Sequence, residues 1–369
     1  MIRQLYIDNY KCLVNFELAL EEVTLLVGPN GVGKTAVLDV LLAVRQLLAG
    51  TAKVTDATVF PSTTLTRWQE RDVQTIQMDV ALDGEAFCYR LEVQHDRPTR
   101  RARIGLERLD GGGNPLFLFR QGEVQLYRDD HSEGPRFRAD WSESALARVP
   151  PHADNQRLTR FLGFMRKVII CGLYPAHFQT ESATEDAVLR RDGSNFASWY
   201  RHMLLERPDL VPPFTQALQP VLEGFRGIRM EKVGLDTRAL MVRFEHQSRE
   251  YELRLEELSD GQRALIALYA LVRLGAALGY TLVLDEPDNY LALAEIQPWL
   301  MELVDTCSTT RSQAVLCSHH PELIDYLGSE RGILLKREAS GVPRPMRLTQ
   351  ALPEDDLKLS EQVARGWQS

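Results

Sequence analysis

The run Gly28-Pro29-Asn30-Gly31-Val32-Gly33-Lys34-Thr35 constrains this chain more than any other stretch, because it fits the phosphate-cradling pattern G-x-x-x-x-G-K-[ST] at every defining position. Before it, Val23-Thr24-Leu25-Leu26-Val27 is short, apolar and β-rich, as a buried strand requires. After it, residues 36–42 space their apolar side chains at helical intervals. With strand, glycine loop and helix in that order, an ordinary glycine turn is a poor explanation. The glycines let the backbone approach phosphates, and successive N–H groups at a helix N-terminus supply positive potential. Lys34 reaches the outer phosphates and Thr35 offers a hydroxyl to Mg²⁺. Asn30, Gly31, Val32, Gly33, Lys34 and Thr35 are therefore the expected nucleotide-binding residues, with Mg²⁺ beside the phosphates.

Two further apolar runs end in polar tips. Tyr280-Thr281-Leu282-Val283-Leu284-Asp285-Glu286 reads as a buried strand closing on two carboxylates, where an NTPase needs a Mg²⁺ ligand, Asp285, and a water-activating base, Glu286. Ala314-Val315-Leu316-Cys317-Ser318-His319-His320 reads as another, and in a parallel sheet such tips collect at one ligand-binding edge. His319 is there either a sensor of the γ-phosphate or one of a surface histidine pair. Leu258-Ser259-Asp260-Gly261-Gln262 opens an apolar helix running to about Gly279, with Ser259 as N-cap.

The remaining chain divides by pattern. Residues 1–27 read as two strands around the turn Asn9-Tyr10-Lys11, before the strand that feeds the glycine loop; Lys11 is a candidate nucleotide flank or a solvated turn lysine. Residues 66–139 alternate in short apolar–polar runs between Asp-Gly, Gly-Gly-Gly and Gln-Gly turns, a meander of β-hairpins. Residues 140–225 read as helical, without sustained heptads, and the aromatic stripe Phe196, Trp199, Met203 as core. The expected organisation is 1–65 and 226–340 as the two parts of a nucleotide-binding α/β core, 66–139 as a hairpin insertion, 140–225 as a helical lobe and 341–369 as a tail.

A net charge of −8 and a pI near 5.6 exclude a generally basic nucleic-acid coat, so DNA contact requires a local patch. The one candidate is the segment carrying Arg97, Arg100, Arg101, Arg103 and Arg108, for which a charge-protected hairpin edge is the competing explanation. Five scattered cysteines with no zinc spacing suggest free thiols in a reducing cytosol. The first residues lack an apolar leader and the long apolar run 264–284 is broken by Arg273, so neither a membrane nor secretion is expected.

Taken in order, GPNGVGKT, LSDGQ, LVLDEPDNYL and CSHHPELID make the chain resemble the ABC-type ATPase superfamily, in the branch of RecF, the SMC heads and the overcoming-lysogenisation-defect ATPases. The resemblance covers roughly residues 1–48 and 250–335. It implies an ABC-ATPase-like P-loop core with ATP as the nucleotide, Gly28–Thr35 as Walker A and Asp285 as the Walker B Mg²⁺ ligand. Glu286, Lys34 and His319 become the catalytic residues, and Asp288-Asn289 the D-loop. Ser259, Asp260, Gly261 and Gln262 become a signature that closes the site of a second protomer in a head-to-tail dimer. Asp260 departs from the small residue usual there, and Gln69, Gln77 and Gln179 all remain open as the Q-loop glutamine. The long coiled coil of SMC proteins is absent, and no acidic, TOPRIM-like nuclease cluster follows Glu286. The implied function is a cytoplasmic ATPase that dimerises, or forms oligomers of dimers, on ATP and switches a DNA-directed process such as phage defence or repair through a separately encoded effector. The alternative is the nucleotide-binding subunit of a membrane transporter, which the wide Walker A–signature interval and the hairpin insertion disfavour.

Overall fold

The computed structural model describes residues 1–351 and 357–366; residues 352–356 and 367–369 of the expected tail lie outside the described residues. The chain opens with the antiparallel pair β1 (Ile2–Asp8) and β2 (Phe16–Ala19), followed by β3 (Val23–Val27) and α1 (Lys34–Leu48). In the loop between β3 and α1, Gly28, Gly31 and Gly33 take φ of 153°, 75° and 116°. A Cβ on Gly28 would meet Leu335 O at 2.6 Å, so the loop has room for no other residue there.

Six strands follow: β4 (Val73–Leu82), β5 (Glu85–Asp96), β6 (Arg101–Gly111), β7 (Asn114–Arg120), β8 (Glu123–Tyr127) and β9 (Glu133–Arg138). Asp83-Gly84 joins β4 to β5, Gly112-Gly113 joins β6 to β7 and Gln121-Gly122 joins β7 to β8, each with positive φ at both residues, the geometry that matches strand twist in two-residue hairpins. These strands extend the first pair into one eight-stranded antiparallel sheet, ordered β2-β1-β4-β5-β6-β7-β8-β9.

After α2 (Gln156–Arg166) comes a strand, β10 (Val168–Cys171), inside the stretch expected to be helical. Its four residues are all buried, and a short apolar run directly after a helix has no periodicity to mark it as a strand. β11 (Glu181–Ser182), α3 (Phe196–Glu206) and α4 (Val211–Leu218) precede β12 (Phe225–Lys232), β13 (Arg238–His246) and β14 (Arg249–Arg254), which with β11 make a small antiparallel sheet.

The helix capped by Ser259 is α5 (Asp260–Ala270), continued by a π-turn over Leu271–Gly275 and a 3-10 turn over Ala276–Leu278 that ends at Gly279, φ 77°. Then follow β15 (Thr281–Asp285), α6 (Leu293–Thr310), β16 (Gln313–Cys317), α7 (Pro321–Arg331), β17 (Gly332–Arg337), β18 (Pro343–Arg347), α8 (Leu348–Ala351) and α9 (Leu359–Gly366).

The central sheet is ordered β10-β15-β16-β3-β17-β18 and is parallel except for β18. Its strands read as unbroken apolar runs because both faces are covered. Val283, Val315 and Leu26 join a core with α1, α2 and the eight-stranded sheet, while Leu282, Leu284, Leu316 and Leu25 join a second core with α3 to α7. Among the described residues one helical stretch, Asp260–Leu278, is long and apolar enough to cross a membrane, and most of it is buried inside this second core.

Candidate nucleotide site

Parallel pairing of β3, β16, β15 and β10 brings their C-terminal tips to one edge, and the catalytic candidates meet there. Lys34, nearly buried, donates to Gly28 O at 2.6 Å and lies 2.8 Å from His319 Nε2. An ammonium only donates, so that ring nitrogen accepts and the imidazole is neutral with its proton on Nδ1. Burial, then the Lys34 charge, lowers the His319 pKa, in keeping with a neutral ring. Glu286 Oε1 is 3.4 Å from the same nitrogen, a contact that is therefore no ion pair. Burial, with Asp288 adding to it, pushes the Glu286 carboxyl up to about 7. Its backbone sits in the left-handed region, φ 46°, and its N–H donates to Cys317 O at 2.8 Å. Non-glycine residues rarely adopt that conformation, and they concentrate at functional sites.

Thr35, exposed at the first turn of α1, hydrogen-bonds Asp285, whose carboxyl burial pushes up. A hydroxyl and a carboxylate on neighbouring tips are the hard oxygen donors that Mg²⁺ takes alongside phosphate oxygens, so these residues fit a Mg·ATP complex. Pro29, Asn30 and Gly31 form an exposed tip and Val32 packs inward beneath it. Lys11 stands beside the loop, its Nζ 2.5 Å from Asp39 Oδ2, and the next residue, Cys12, lies under Gly33. The other oxygen of Asp39 takes Arg191 at 2.6 Å. Sequence reasoning missed Asp39 and Arg191. Asp39 follows Thr35 by four residues and so shares its helix face, a legible signal; Arg191 has none.

The expected signature segment, Ser259–Gln262, lies near the same edge, since Arg263 at the start of α5 donates to Pro175 O, on the connection leaving the β10 tip, at 2.8 Å. Ser259 and Gln262 form a reciprocal capping box, Gln262 N–H to Ser259 Oγ at 3.3 Å and Ser259 N–H to Gln262 Oε1 at 3.0 Å. Asp260 is exposed and pairs with Arg263 at 2.6 Å, which offsets the negative charge it adds at the helix N-terminus. A Cβ on Gly261 would lie 3.0 Å from Tyr290 O, so the start of α5 packs against the loop after β15 that carries Asp288 and Asn289. Asp288 is buried and accepts from Ser318 Oγ at 2.6 Å, tying the loop after β15 to the loop after β16; Asn289 is exposed. Of the three open glutamines, Gln77 lies within β4 and Gln69 in the turn before it, while Gln179 lies on the connection leaving β10 at the nucleotide edge.

A family model described as "AAA domain, putative AbiEii toxin, Type IV TA system" matches residues 23–325, most of the chain. The chain belongs to this AAA-domain family. No curated protein matches it. Among solved structures, it is similar to the SMC head bound to the C-winged helix domain of ScpA, at 13% identity and a TM-score of 0.59 over 94% of this chain and 96% of that one. It is also similar to the Pyrococcus furiosus Smc head domain with an extended coiled coil bound to the C-terminal domain of ScpA, at 12% identity and a TM-score of 0.56 over 95% and 97%. At such identities the likeness concerns the fold: this AAA domain has the mixed α/β architecture of an SMC-head ABC-type ATPase. Its described residues carry no coiled coil; the strands β4 to β9 lie between α1 and α2.

Proposed function

We propose that this AAA-domain protein binds and hydrolyses ATP, dimerises head-to-tail on ATP, and switches a DNA-directed process through a separately encoded effector. The observation that carries the reading is the convergence of Lys34, Thr35, Asp285, Glu286 and His319 on one sheet edge. Each has a chemical task. Lys34 leaves Gly28 O for the β- and γ-phosphates. Thr35 and Asp285 would hold Mg²⁺, whose charge would offset that of the outer phosphates. Glu286, with a carboxyl near 7, is poised to take a proton from the attacking water at neutral pH. His319 hydrogen-bonds the γ-phosphate region from the next tip.

Dimerisation is supported by the position of Ser259–Gln262, whose N-terminal donors sit on the nucleotide edge but are packed with the D-loop segment. Such donors suit the γ-phosphate of a second copy. The test is the mass of the Glu286→Gln protein by light scattering with and without Mg·ATP. A nucleotide-dependent doubling is expected, and a monomer at saturating ATP overturns the dimer reading. Recovery of the native complex as a homodimer with no second protein and no response to DNA overturns the switch reading.

A further inference from the structure

The structure divides the five hairpin arginines. Arg97 pairs with Asp72 and donates to Gln69 O and Arg71 O, and Arg108 pairs with Asp110, so both serve the fold. Among the described residues no carboxylate lies within ion-pair distance of Arg100, Arg101 or Arg103. Arg101 and Arg103 instead line a cavity of about 520 Å³ together with Gln94, His95, Thr99 and Trp141. That volume is in the range of sites for small organic ligands.

The cavity walls match one kind of ligand. Trp141 is 44% exposed, a large aromatic face left to solvent. Of the two acidic residues of the lining, Asp72 is paired with Arg97, while Asp96 accepts from the Thr99 hydroxyl at 2.7 Å and keeps its charge, against the two guanidinium groups of Arg101 and Arg103. His95 is buried, lies 2.8 Å from Gln74 Oε1 through Nε2, and keeps Nδ1 without a hydrogen-bond partner. Arg103 Nε donates to Gln94 Oε1 at 3.1 Å, and guanidinium groups without a carboxylate partner, beside an exposed indole and that amide, meet the three parts of an unstacked nucleotide: phosphate, ring face and base edge. A duplex presents phosphates to such a wall but keeps its ring faces stacked.

Position adds a link to the nucleotide site. Asp8 pairs with Thr75, Val73 with Gln94 and Asp96 with Arg101, so the cavity lies at the strand ends that also carry Asn9 to Lys11. Three inter-strand steps separate them, about 15 Å. The Asn9 amide donates to Arg71 O at 2.8 Å and Val73 O at 2.9 Å, while Lys11 holds Asp39 of α1. One turn thus anchors both the cavity wall and the glycine-loop helix.

We propose that this cavity receives one unstacked nucleotide of a single-stranded nucleic acid, its base on Trp141 and its flanking phosphates against Arg101 and Arg103. The proposal deepens the DNA-directed reading above and rests on it. The experiment is fluorescence anisotropy of a labelled 12-nucleotide single strand and of the matching blunt duplex, titrated with the full chain at several salt concentrations. The single strand is expected to bind at least about 10-fold more tightly than the duplex. Trp141→Ala should weaken it by about 10-fold, in the range of one lost base–aromatic stack, with Trp141→Phe largely retaining affinity. Arg101→Glu with Arg103→Glu should abolish binding at moderate salt and lower the log–log salt slope by about 1.4, two phosphates at 0.7 each. Single-strand binding that survives both the Trp141 and the arginine changes overturns the cavity and leaves a DNA-directed role intact. Loss with the arginines but not with Trp141→Ala makes the hairpin a plain phosphate track, which also overturns it. Equal affinity for a poly-glutamate peptide overturns the nucleic-acid assignment, and no binding by the wild type to either probe overturns both readings together.

Discussion

Lys34, His319 and Glu286 act as one electrostatic unit, since the ammonium fixes the tautomer of the ring and its charge helps lower the ring's pKa. Replacing Glu286 by Gln keeps the shape of the side chain and removes the base. ATP should still bind while hydrolysis falls roughly 10²–10⁴-fold, measured as phosphate release against nucleotide affinity. The same carboxyl predicts a pH limb. A group raised to about 7 is protonated, and useless as a base, on the acid side. In the wild type kcat/KM should therefore rise with pH through about 7, and a flat profile between pH 6 and 8 argues against Glu286 as the base. Burial, then the Lys34 charge, lowers the His319 pKa, which moves any limb of its own toward the acid side of the Glu286 limb. Lys34→Ala removes the point charge on the outer phosphates and leaves the loop backbone in place, so labelled-ATP affinity or turnover should collapse. Retention of both would remove the phosphate-loop assignment.

Within the elements, the eight-stranded sheet depends on a buried carboxylate that no motif announces. Glu107 of β6 is fully buried and accepts from Tyr89 Oη at 3.0 Å, Ser144 Oγ at 2.6 Å and the N–H groups of Ala145 and Leu146 at 3.1 and 3.3 Å. These bonds strap the segment after β9 back across the sheet. Glu107→Ala strands four buried donors, and a loss on the order of 3 kcal/mol is expected, read as a lowered denaturation midpoint. Glu107→Gln, which keeps an acceptor, should lose clearly less. Equal midpoints for wild type and Glu107→Ala would show that the strap contributes nothing. In sequence Glu107 is indistinguishable from a solvated strand residue, because only the third dimension brings Tyr89 and Ser144 to it. The hairpin turns were legible by contrast: Asp-Gly, Gly-Gly and Gln-Gly supply positive φ locally and need no tertiary partner.

At the scale of the whole molecule, a site shared between two copies makes a prediction that a self-contained site cannot. Lys34→Ala and Ser259→Arg should each abolish turnover alone, since every site in either homodimer carries one defect. In a mixed dimer one site collects both lesions and the other has neither, so part of the ATPase activity should return on mixing. Exchange of labelled subunits verifies that mixed dimers form. Background activity at every ratio, with exchange demonstrated, would place the signature's action within its own chain or require both sites to fire together.

The sequence by itself determined the glycine loop, the two carboxylates at the end of β15, the histidine after β16 and the capped helix after Ser259. Each is a local pattern whose geometry follows from a few adjacent residues: glycines that permit positive φ, an apolar strand that ends in polar groups, a hydroxyl three residues before a glutamine. Tertiary structure alone decided what lies between them. Val168–Cys171 became the edge strand of the central sheet because β15 offered it a parallel partner, and no period distinguishes a four-residue buried strand from a helix end. Arg191 reached Asp39, and Asp288 reached Ser318, across separations that only the sheet order closes. Of five arginines alike in sequence, carboxylates supplied by the fold neutralised two and left three facing solvent, since the charge state of a surface depends on which residues the strands set side by side.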